Sequence, residues 1–252
     1  MFYGNEAALT KERGRESLLT LGTVAFLDRI HNHFEDKRRA LLKEKSTVEK
    51  KNPVVFKGMQ PTVIPVSKSI EEEGTEVTGP AYKHMILKAF YAKADLFVAN
   101  FKHKKEVSWE KSMEWQKNLY DAIHRQNGFL MSEYQATKLA VRPRCLDMNE
   151  ENLTKEGLPM SASFVDFGIY MFHNAKMLLE HGKRPHFYLS DIQSHLEARL
   201  WNDLFIYAQN DLQIPQGSIQ VTLVNESITN EEKLNDILYE LNEHSTTIYY
   251  TI

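Results

Sequence analysis

Two charged side chains that follow short apolar runs are the residues of this sequence best suited to chemistry. Arg142 follows the apolar run 139–141, and Glu226 comes soon after the apolar run 221–224. If both runs are strands of one parallel sheet, both side chains lie at its carboxyl edge, where the functional groups of barrel enzymes gather. A guanidinium there can hold a carboxylate or stabilise an oxyanion, and a glutamate can bind Mg²⁺. The alternative is that both are solvated loop residues.

Further polar groups near these two have structural as well as functional interpretations. Arg144 is either a second anion-binding arginine or a loop residue. Cys145 is the only cysteine, which excludes an internal disulfide, and no base near it in sequence marks it as a nucleophile. Ser194, followed three residues later by Glu197, predicts a capped helix start. The histidines lack the four-residue spacing of a zinc-binding helix.

Composition limits the classes of partner. The chain has 252 residues, is 42% hydrophobic and carries a formal net charge of −3. It therefore has no global basic field for nucleic acid or anionic lipid. No run approaches the roughly 18 apolar residues of a membrane span, and the first residues lack the pattern of a signal peptide. We expect a globular protein with no nucleic-acid partner and no membrane association.

Alternating short apolar runs and longer helical patterns predict the fold from Glu76 onward. Strands are predicted at 76–79, 96–100, 139–142, 186–189 and 219–224. Helices are predicted at 81–92, 108–126, 164–181, 194–211 and 230–243. This order is typical of a parallel sheet with crossover helices, and uniformly apolar strands are typical of a sheet buried on both faces. The pattern fits a smaller open α/β sheet as well as part of a barrel.

A helical segment precedes this region. Apolar residues recur at helical spacing over 15–46, and the stretch 46–75 is polar and interrupted by prolines. We therefore predict two parts, an N-terminal helical segment with a connector at 1–75 and a partial (β/α) barrel at 76–252.

Several segments resemble malate synthase of the shorter, eukaryotic and bacterial type. Residues 164–176, Phe-Val-Asp-Phe-Gly-Ile-Tyr-Met-Phe-His-Asn-Ala-Lys, resemble the family's FDFGLYFFHNAK. Residues 194–202, Ser-His-Leu-Glu-Ala-Arg-Leu-Trp-Asn, resemble the end of its YFYLPKLESHLEARLWN, and residues 141–144, Val-Arg-Pro-Arg, resemble the start of its VRPRGWH. The resemblance runs from about residue 25 to residue 245.

The resemblance implies a fold, a reaction and roles for two residues. The fold is a TIM (β/α)8 barrel, here incomplete, preceded by the helical segment. The reaction is a Mg²⁺-dependent Claisen condensation of acetyl-CoA with glyoxylate, which gives malate and CoA in the glyoxylate cycle. By alignment, Arg142 corresponds to the arginine that stabilises the enolate, and Glu226 to the first carboxylate ligand of the metal.

The sequence departs from the family at two places. Asn100 and Lys102 stand where the family's ADFEDS motif has carboxylates, and a cation there is expected to repel Mg²⁺. The family segment that carries the second metal aspartate is replaced by residues 246–252, so a truncated barrel with an exposed strand edge is expected.

These departures leave two alternatives to a malate synthase. One is a non-catalytic remnant of the family that binds a partner, with self-association through the exposed barrel edge. The other is an independent lyase that uses Arg142 and Glu226 with Asp166 or Asp191 as the base. The family implies a peroxisome, a glyoxysome or the cytoplasm as the compartment, and Tyr-Thr-Ile at 250–252 is not the peroxisomal tripeptide.

Overall fold

A computed structural model of the chain describes residues 2–4, 18–51, 75–102, 107–129, 136–225, 228, 230–244 and 246–250. The strands are β1 (Phe2–Gly4), β2 (Glu76–Gly79), β3 (Leu96–Asn100), β4 (Lys138–Arg142), β5 (Asn149–Lys155), β6 (Leu158–Ser161), β7 (His186–Leu189), β8 (Gln220–Asn225) and β9 (Thr247–Tyr250). The helices are α1 (Leu21–Lys51), α2 (Lys83–Tyr91), α3 (Trp109–Ile123), α4 (Ala162–Glu180), α5 (His195–Asp211) and α6 (Glu231–Glu240), with a 3₁₀ turn at Asn242–His244.

A parallel sheet organises most of the described residues. Its strands neighbour one another in the order β2-β3-β4-β7-β8-β9, and every adjacent pair is parallel. A helix precedes each strand of this sheet after β2, so the chain repeats one β/α unit around a curled sheet. This is the topology of a TIM barrel, of which the described strands form an incomplete part. The predicted fold class is therefore confirmed.

The elements predicted from Glu76 onward are confirmed, with ends that shift by at most three residues for helices and one for strands, whereas the helix predicted over 15–46 begins at Leu21 and extends to Lys51. The prediction missed two features. Strand β9 is a sixth parallel strand and pairs with β8. The antiparallel pair β5 and β6 interrupts the repeat between β4 and α4, and β1 joins it through β5 to make a separate three-stranded sheet.

The two faces of the parallel sheet differ in what they contact. Alternate strand residues point to opposite faces. One set packs against the helices in the main apolar core, where Phe167 of α4, Phe187 of β7 and Phe205 of α5 lie with ring centroids 5.1 to 5.8 Å apart. The other set lines the inner, concave face with a small apolar cluster, made of Val98, Ala140, Tyr188 and Val224.

Helix α1 packs on the outside of α4 and α5. Phe26, Ile30 and Phe34 are buried in this contact. The helices approach so closely that a Cβ atom on Gly168 would lie 2.5 Å from Leu27 Cδ2, so a larger residue there would force the Leu27 side chain to shift. The division into parts at 1–75 and 76–252 stays a prediction, and most of its connector lies outside the described residues.

The predicted cap of α5 is confirmed and is tied to α1. Ser194 accepts a hydrogen bond from the Glu197 backbone N–H, and the Glu197 carboxylate accepts one from the Ser194 N–H. The other carboxylate oxygen of Glu197 lies 3.2 Å from Lys45 Nζ of α1. Glu197 therefore has a structural role.

Candidate functional site

The carboxyl edge of the sheet brings polar residues of three neighbouring strands together on the inner face. Asn100 and Arg142 are register partners at the ends of β3 and β4. Each follows by two positions a residue of the inner apolar cluster, as does Ser190 after β7, so all three side chains belong to the concave face. Arg142 is half-buried and donates from Nε to Ser190 Oγ at 3.2 Å. The edge that the sequence predicted for Arg142 is thus the edge where it lies.

An ion pair crosses this edge. Lys102, just beyond β3, places Nζ 2.5 Å from Asp191 Oδ2, just beyond β7. Because β4 lies between β3 and β7, the pair spans the end of the strand that carries Arg142. The Cys145 thiol donates to the same Asp191 oxygen at 3.1 Å. Sequence patterns alone do not predict this contact, because Lys102 and Asp191 are far apart along the chain.

The contacts among Lys102, Asp191 and Cys145 shift the pKa values of the Asp191 carboxyl group and of the Cys145 thiol. Burial alone would raise the pKa of Asp191, but the hydrogen bonds from Lys102 and Cys145 outweigh it and lower that pKa. Burial, followed by the contact with Asp191, raises the pKa of Cys145 to about 12. Cys145 is therefore a neutral thiol at physiological pH and not an activated nucleophile.

A cleft of about 420 Å³ opens beside this edge. Its lining residues come from α1, from the loops after β4 and β7, and from the start of α5, namely Leu42, Lys45, Cys145, Leu146, Asp147, Ser190, Asp191, Gln193 and Glu197. The volume lies within the range of small-molecule sites in proteins. Ser190 and Asp191, which contact Arg142 and Lys102, form one wall of the cleft, and neither cation is among the residues that line it.

Arg144 is a structural residue, although the sequence left an anion-binding role open. Its guanidinium is buried and binds both carboxylate oxygens of Asp166, at 2.9 and 2.7 Å, and Glu150 at 2.7 Å. Its backbone N–H also donates to Asp166. Asp166 is fully buried and accepts three hydrogen bonds from one residue, so it is not available as a catalytic base. This geometry argues against Asp166 as a base, and the lyase alternative stays a prediction.

Glu226, the predicted metal ligand, lies outside the described residues. Its neighbour Asn225 ends β8 and uses its side chain locally, accepting from the Ile228 N–H at 2.8 Å and donating to the Ile228 carbonyl at 3.0 Å. The role of Glu226 stays a prediction.

The described residues at this edge do not fit a magnesium ion. Among the described oxygen donors at this edge, Asn100 Oδ1 is buried without a hydrogen-bond partner, Ser190 Oγ accepts from Arg142, and Lys102 holds the Asp191 carboxylate. No cluster of three metal-binding side chains occurs in the described part of the chain. A divalent ion 4 Å from an ammonium is repelled by roughly 8 kcal/mol at an effective dielectric of about 20, which cancels the attraction of one carboxylate at that distance.

Sequentially ordered parallel strands, crossover helices and a polar carboxyl edge define a protein of the TIM-barrel class. The family model described as "Malate synthase, TIM barrel domain" matches residues 138–250. The chain is 35% identical to a malate synthase of Myxococcus xanthus over 90% of this chain and 46% of that protein. These findings place the chain in the malate synthase family.

The chain is also similar to other malate synthases. A malate synthase of Dictyostelium discoideum is 34% identical over 97% of this chain and 49% of its own length. A glyoxysomal malate synthase of Candida tropicalis is 29% identical over 88% of this chain and 44% of its own length. A solved structure of Haloferax volcanii malate synthase has a TM-score of 0.49 and 13% identity, covering 73% of this chain and 53% of that one. The chain spans about half the length of the curated relatives it matches.

Proposed function

We propose that this protein is an acyltransferase of the malate synthase type, which condenses acetyl-CoA with glyoxylate to give malate and CoA. The observation that carries the proposal is the position of Arg142, half-buried at the carboxyl edge of the sheet, oriented by Ser190 and next to the cleft. This position supports the role that the family resemblance implies for it.

Arg142 is proposed to stabilise the enolate oxygen. Removal of a proton from the acetyl methyl group leaves negative charge on the thioester oxygen, and the enolate carbon then forms a bond with the aldehyde carbon of glyoxylate, whose oxygen takes up a proton. Water then cleaves the thioester bond of the condensed product, which gives malate and CoA. A guanidinium already held in place stabilises that charge without reorganisation during the reaction. The contact between Arg142 Nε and Ser190 fixes one edge of the guanidinium, which supports such pre-orientation.

Magnesium is the cofactor that the family implies, with Glu226 as the predicted ligand. The described oxygen donors do not fit the ion, so we derive no step through it. The independent lyase with Asp191 as its base is not favoured, because the ion pair with Lys102 holds the pKa of Asp191 low and makes it a weak base.

A second candidate is a non-catalytic, partner-binding member of the family. The observation that favours it is the Lys102–Asp191 ion pair, which puts a cation where the family resemblance implies carboxylates. Among the described strands, β2 and β9 are the edges of the sheet. Unpaired edges of this kind can recruit another chain, so self-association through them is part of this candidate.

The compartment is also proposed from the family. A glyoxysome or peroxisome is one proposed site of action, as the name of the Candida tropicalis relative indicates for that protein, and the cytoplasm is the other. None of the described helices is both long enough and apolar enough to cross a membrane.

Thiol release tests the two candidates. The purified chain is incubated with acetyl-CoA and Mg²⁺, with and without glyoxylate, and free CoA is followed with a thiol reagent. Arg142→Met is expected to lower glyoxylate-dependent kcat by about 10²–10³-fold, the effect of removing an oxyanion donor. Arg199→Met is the matched control, because Arg199 lies exposed on α5 and pairs with Glu240.

Each outcome has a defined meaning. Glyoxylate-dependent release that Arg142→Met abolishes and Arg199→Met leaves intact supports the acyltransferase. Equal rates in the two variants would refute the role of Arg142. A folded chain that releases no CoA favours the partner-binding candidate instead.

A further inference from the structure

A chain of hydrogen bonds joins the loops that follow β3, β4 and β7 at the carboxyl edge. The Asp191 carboxylate lies 2.5 Å from Lys102 Nζ and accepts from the Cys145 thiol at 3.1 Å. Burial opposes the charge of this carboxylate, and a hydrogen bond from the Ser190 side chain is one of the contacts that outweigh burial and lower its pKa. Ser190 Oγ in turn accepts from Arg142 Nε at 3.2 Å. Asp191 is therefore two hydrogen bonds away from the guanidinium.

The carboxylate decides which way the Ser190 hydroxyl points. A serine hydroxyl has one O–H donor and two acceptor lone pairs, whereas an ionised carboxylate only accepts. The proton of Ser190 therefore points toward Asp191, which leaves a lone pair for the Nε–H of Arg142. Hydrogen bonds to an ionised group are shorter and stronger than those between neutral groups, so this orientation of the hydroxyl is favoured.

The backbone at Asp191 has an uncommon conformation that the same contacts explain. Its φ is 62°, in the left-handed region, which aspartate and asparagine tolerate better than other non-glycine residues. Residues in sparsely populated conformations persist where the surrounding structure determines them. Lys102 beyond β3 and Cys145 beyond β4 hold the Asp191 side chain from two other loops. The contacts of Asp191 thus determine the turn that carries Ser190.

We propose that Asp191 is a positioning residue, which orients the Arg142 guanidinium through the Ser190 hydroxyl for the condensation. Lys102 and Arg142 also have other contacts, so this chain of hydrogen bonds is one restraint on the guanidinium among several. The inference rests on the proposed function of Arg142, but the orientation of the guanidinium can be observed without turnover.

The arginine Nε–H resonances of the ¹⁵N-labelled full chain report that orientation. An Nε–H held in a hydrogen bond gives a resonance apart from those of solvated arginines, and the Arg142 resonance is the one that Arg142→Met lacks. Asp191→Asn should move it toward the solvated position, because an amide holds the Ser190 hydroxyl less firmly than a carboxylate. Asparagine tolerates the left-handed conformation, so the turn is kept. Ser190→Ala should move the resonance further, because it removes the acceptor.

A surface ion pair supplies the matched control. Asp203 pairs with Lys37, and both side chains are partly exposed, so Asp203→Asn should leave the Arg142 resonance in place. If the Lys102–Asp191 pair only holds two loops together, Asp191→Asn should lower the melting temperature without moving the Arg142 resonance, which would overturn the inference. A parent chain whose Arg142 resonance coincides with those of solvated arginines would overturn it as well.

Turnover supplies a second readout, which depends on the proposed function. Asp191→Asn should lower kcat for glyoxylate-dependent CoA release about 3- to 10-fold, the effect of one net hydrogen bond, and leave the KM for acetyl-CoA unchanged. In the Arg142→Met background it should have no further effect, because both changes act on one guanidinium. An unchanged kcat in an active chain, or an equal loss in both backgrounds, overturns the inference. A chain that releases no CoA but shows the resonance shift supports the inference while the proposed condensation fails, so the two failures are distinguishable.

Discussion

Replacing Arg144 by methionine should destabilise the fold more than almost any other single arginine substitution in the described part of the chain. The guanidinium lies between two buried carboxylates, Asp166 and Glu150, and forms three hydrogen bonds to them. Burial opposes its charge, but the two carboxylates outweigh that effect and raise its pKa, so it is charged at every accessible pH. Methionine fills similar volume but leaves both carboxylates without their cation.

The cost follows from what remains after the change. Asp166 keeps only the backbone N–H of residue 144, and Glu150 keeps the side-chain and backbone N–H groups of Asn152. Removing one partner of a buried ion pair typically costs about 3–5 kcal/mol. For a domain of this size each kcal/mol lowers the melting temperature by about 2–4 °C, so the expected drop is roughly 6–20 °C.

The assay is urea and thermal unfolding followed by circular dichroism. Arg199→Met is the control, because Arg199 forms a comparable bidentate pair with Glu240 on the surface and should change the melting temperature little. Adding Asp166→Asn to Arg144→Met removes one stranded carboxylate, so the double variant should lose less than the sum of the single changes. Additivity of these two changes within about 0.5 kcal/mol, or equal effects of Arg144→Met and Arg199→Met, would refute the reasoning.

Three further predictions concern pH, packing and metal binding. Burial lowers the pKa of His186 to about 4, so between about pH 6.5 and 4 the unfolded chain binds a proton at this residue that the folded chain does not. The free energy of unfolding should therefore fall as the pH falls through that window. His186→Gln should reduce the slope of unfolding free energy against pH by up to about 1.4 kcal/mol per pH unit, and an unchanged slope would contradict the prediction. Gly168→Ala should cost about 1–3 kcal/mol of unfolding free energy by overpacking, and Leu27→Ala in the same chain should recover part of it; full additivity would contradict the contact. Lys102→Glu should create an oxygen-rich edge beside Asp191, so that Mg²⁺ raises the melting temperature of the variant and not of the parent; no shift in the variant would exclude Lys102 as the obstacle to the ion.

The strands and helices of the repeat could be predicted because burial on both faces of a parallel sheet gives uniformly apolar runs. The pair β5 and β6 could not, because Asn149–Lys155 is polar with alternate exposure and β6 contains Pro159. Strand β9 was missed although Thr-Ile-Tyr-Tyr has strand propensity, because residues 247–250 were interpreted only as a departure from the family.

The candidate site was predictable only in part. The position of Arg142 follows from local pattern, since a residue that ends a parallel strand lies at the carboxyl edge. The partners of Lys102 and Arg144 do not follow from local pattern, because the curvature of the sheet and the packing of the helices determine which residues they meet. Sequence patterns therefore make both Arg142 and Arg144 candidates for anion binding, although Arg142 lies at the carboxyl edge and Arg144 is buried in ion pairs with Asp166 and Glu150.

The residues that identify the family and the residues that decide its chemistry lie in different layers of this molecule. Within the most characteristic segment, Phe164, Phe167 and Tyr170 are buried between the sheet and the helices, where a change of shape would cost packing energy. Lys102 and Asp191 lie at a partly exposed edge, where their exchange for other polar groups would leave the core intact. A chain can therefore keep a malate synthase core while the polar groups at its carboxyl edge change, and in this fold the function has to be argued from that edge.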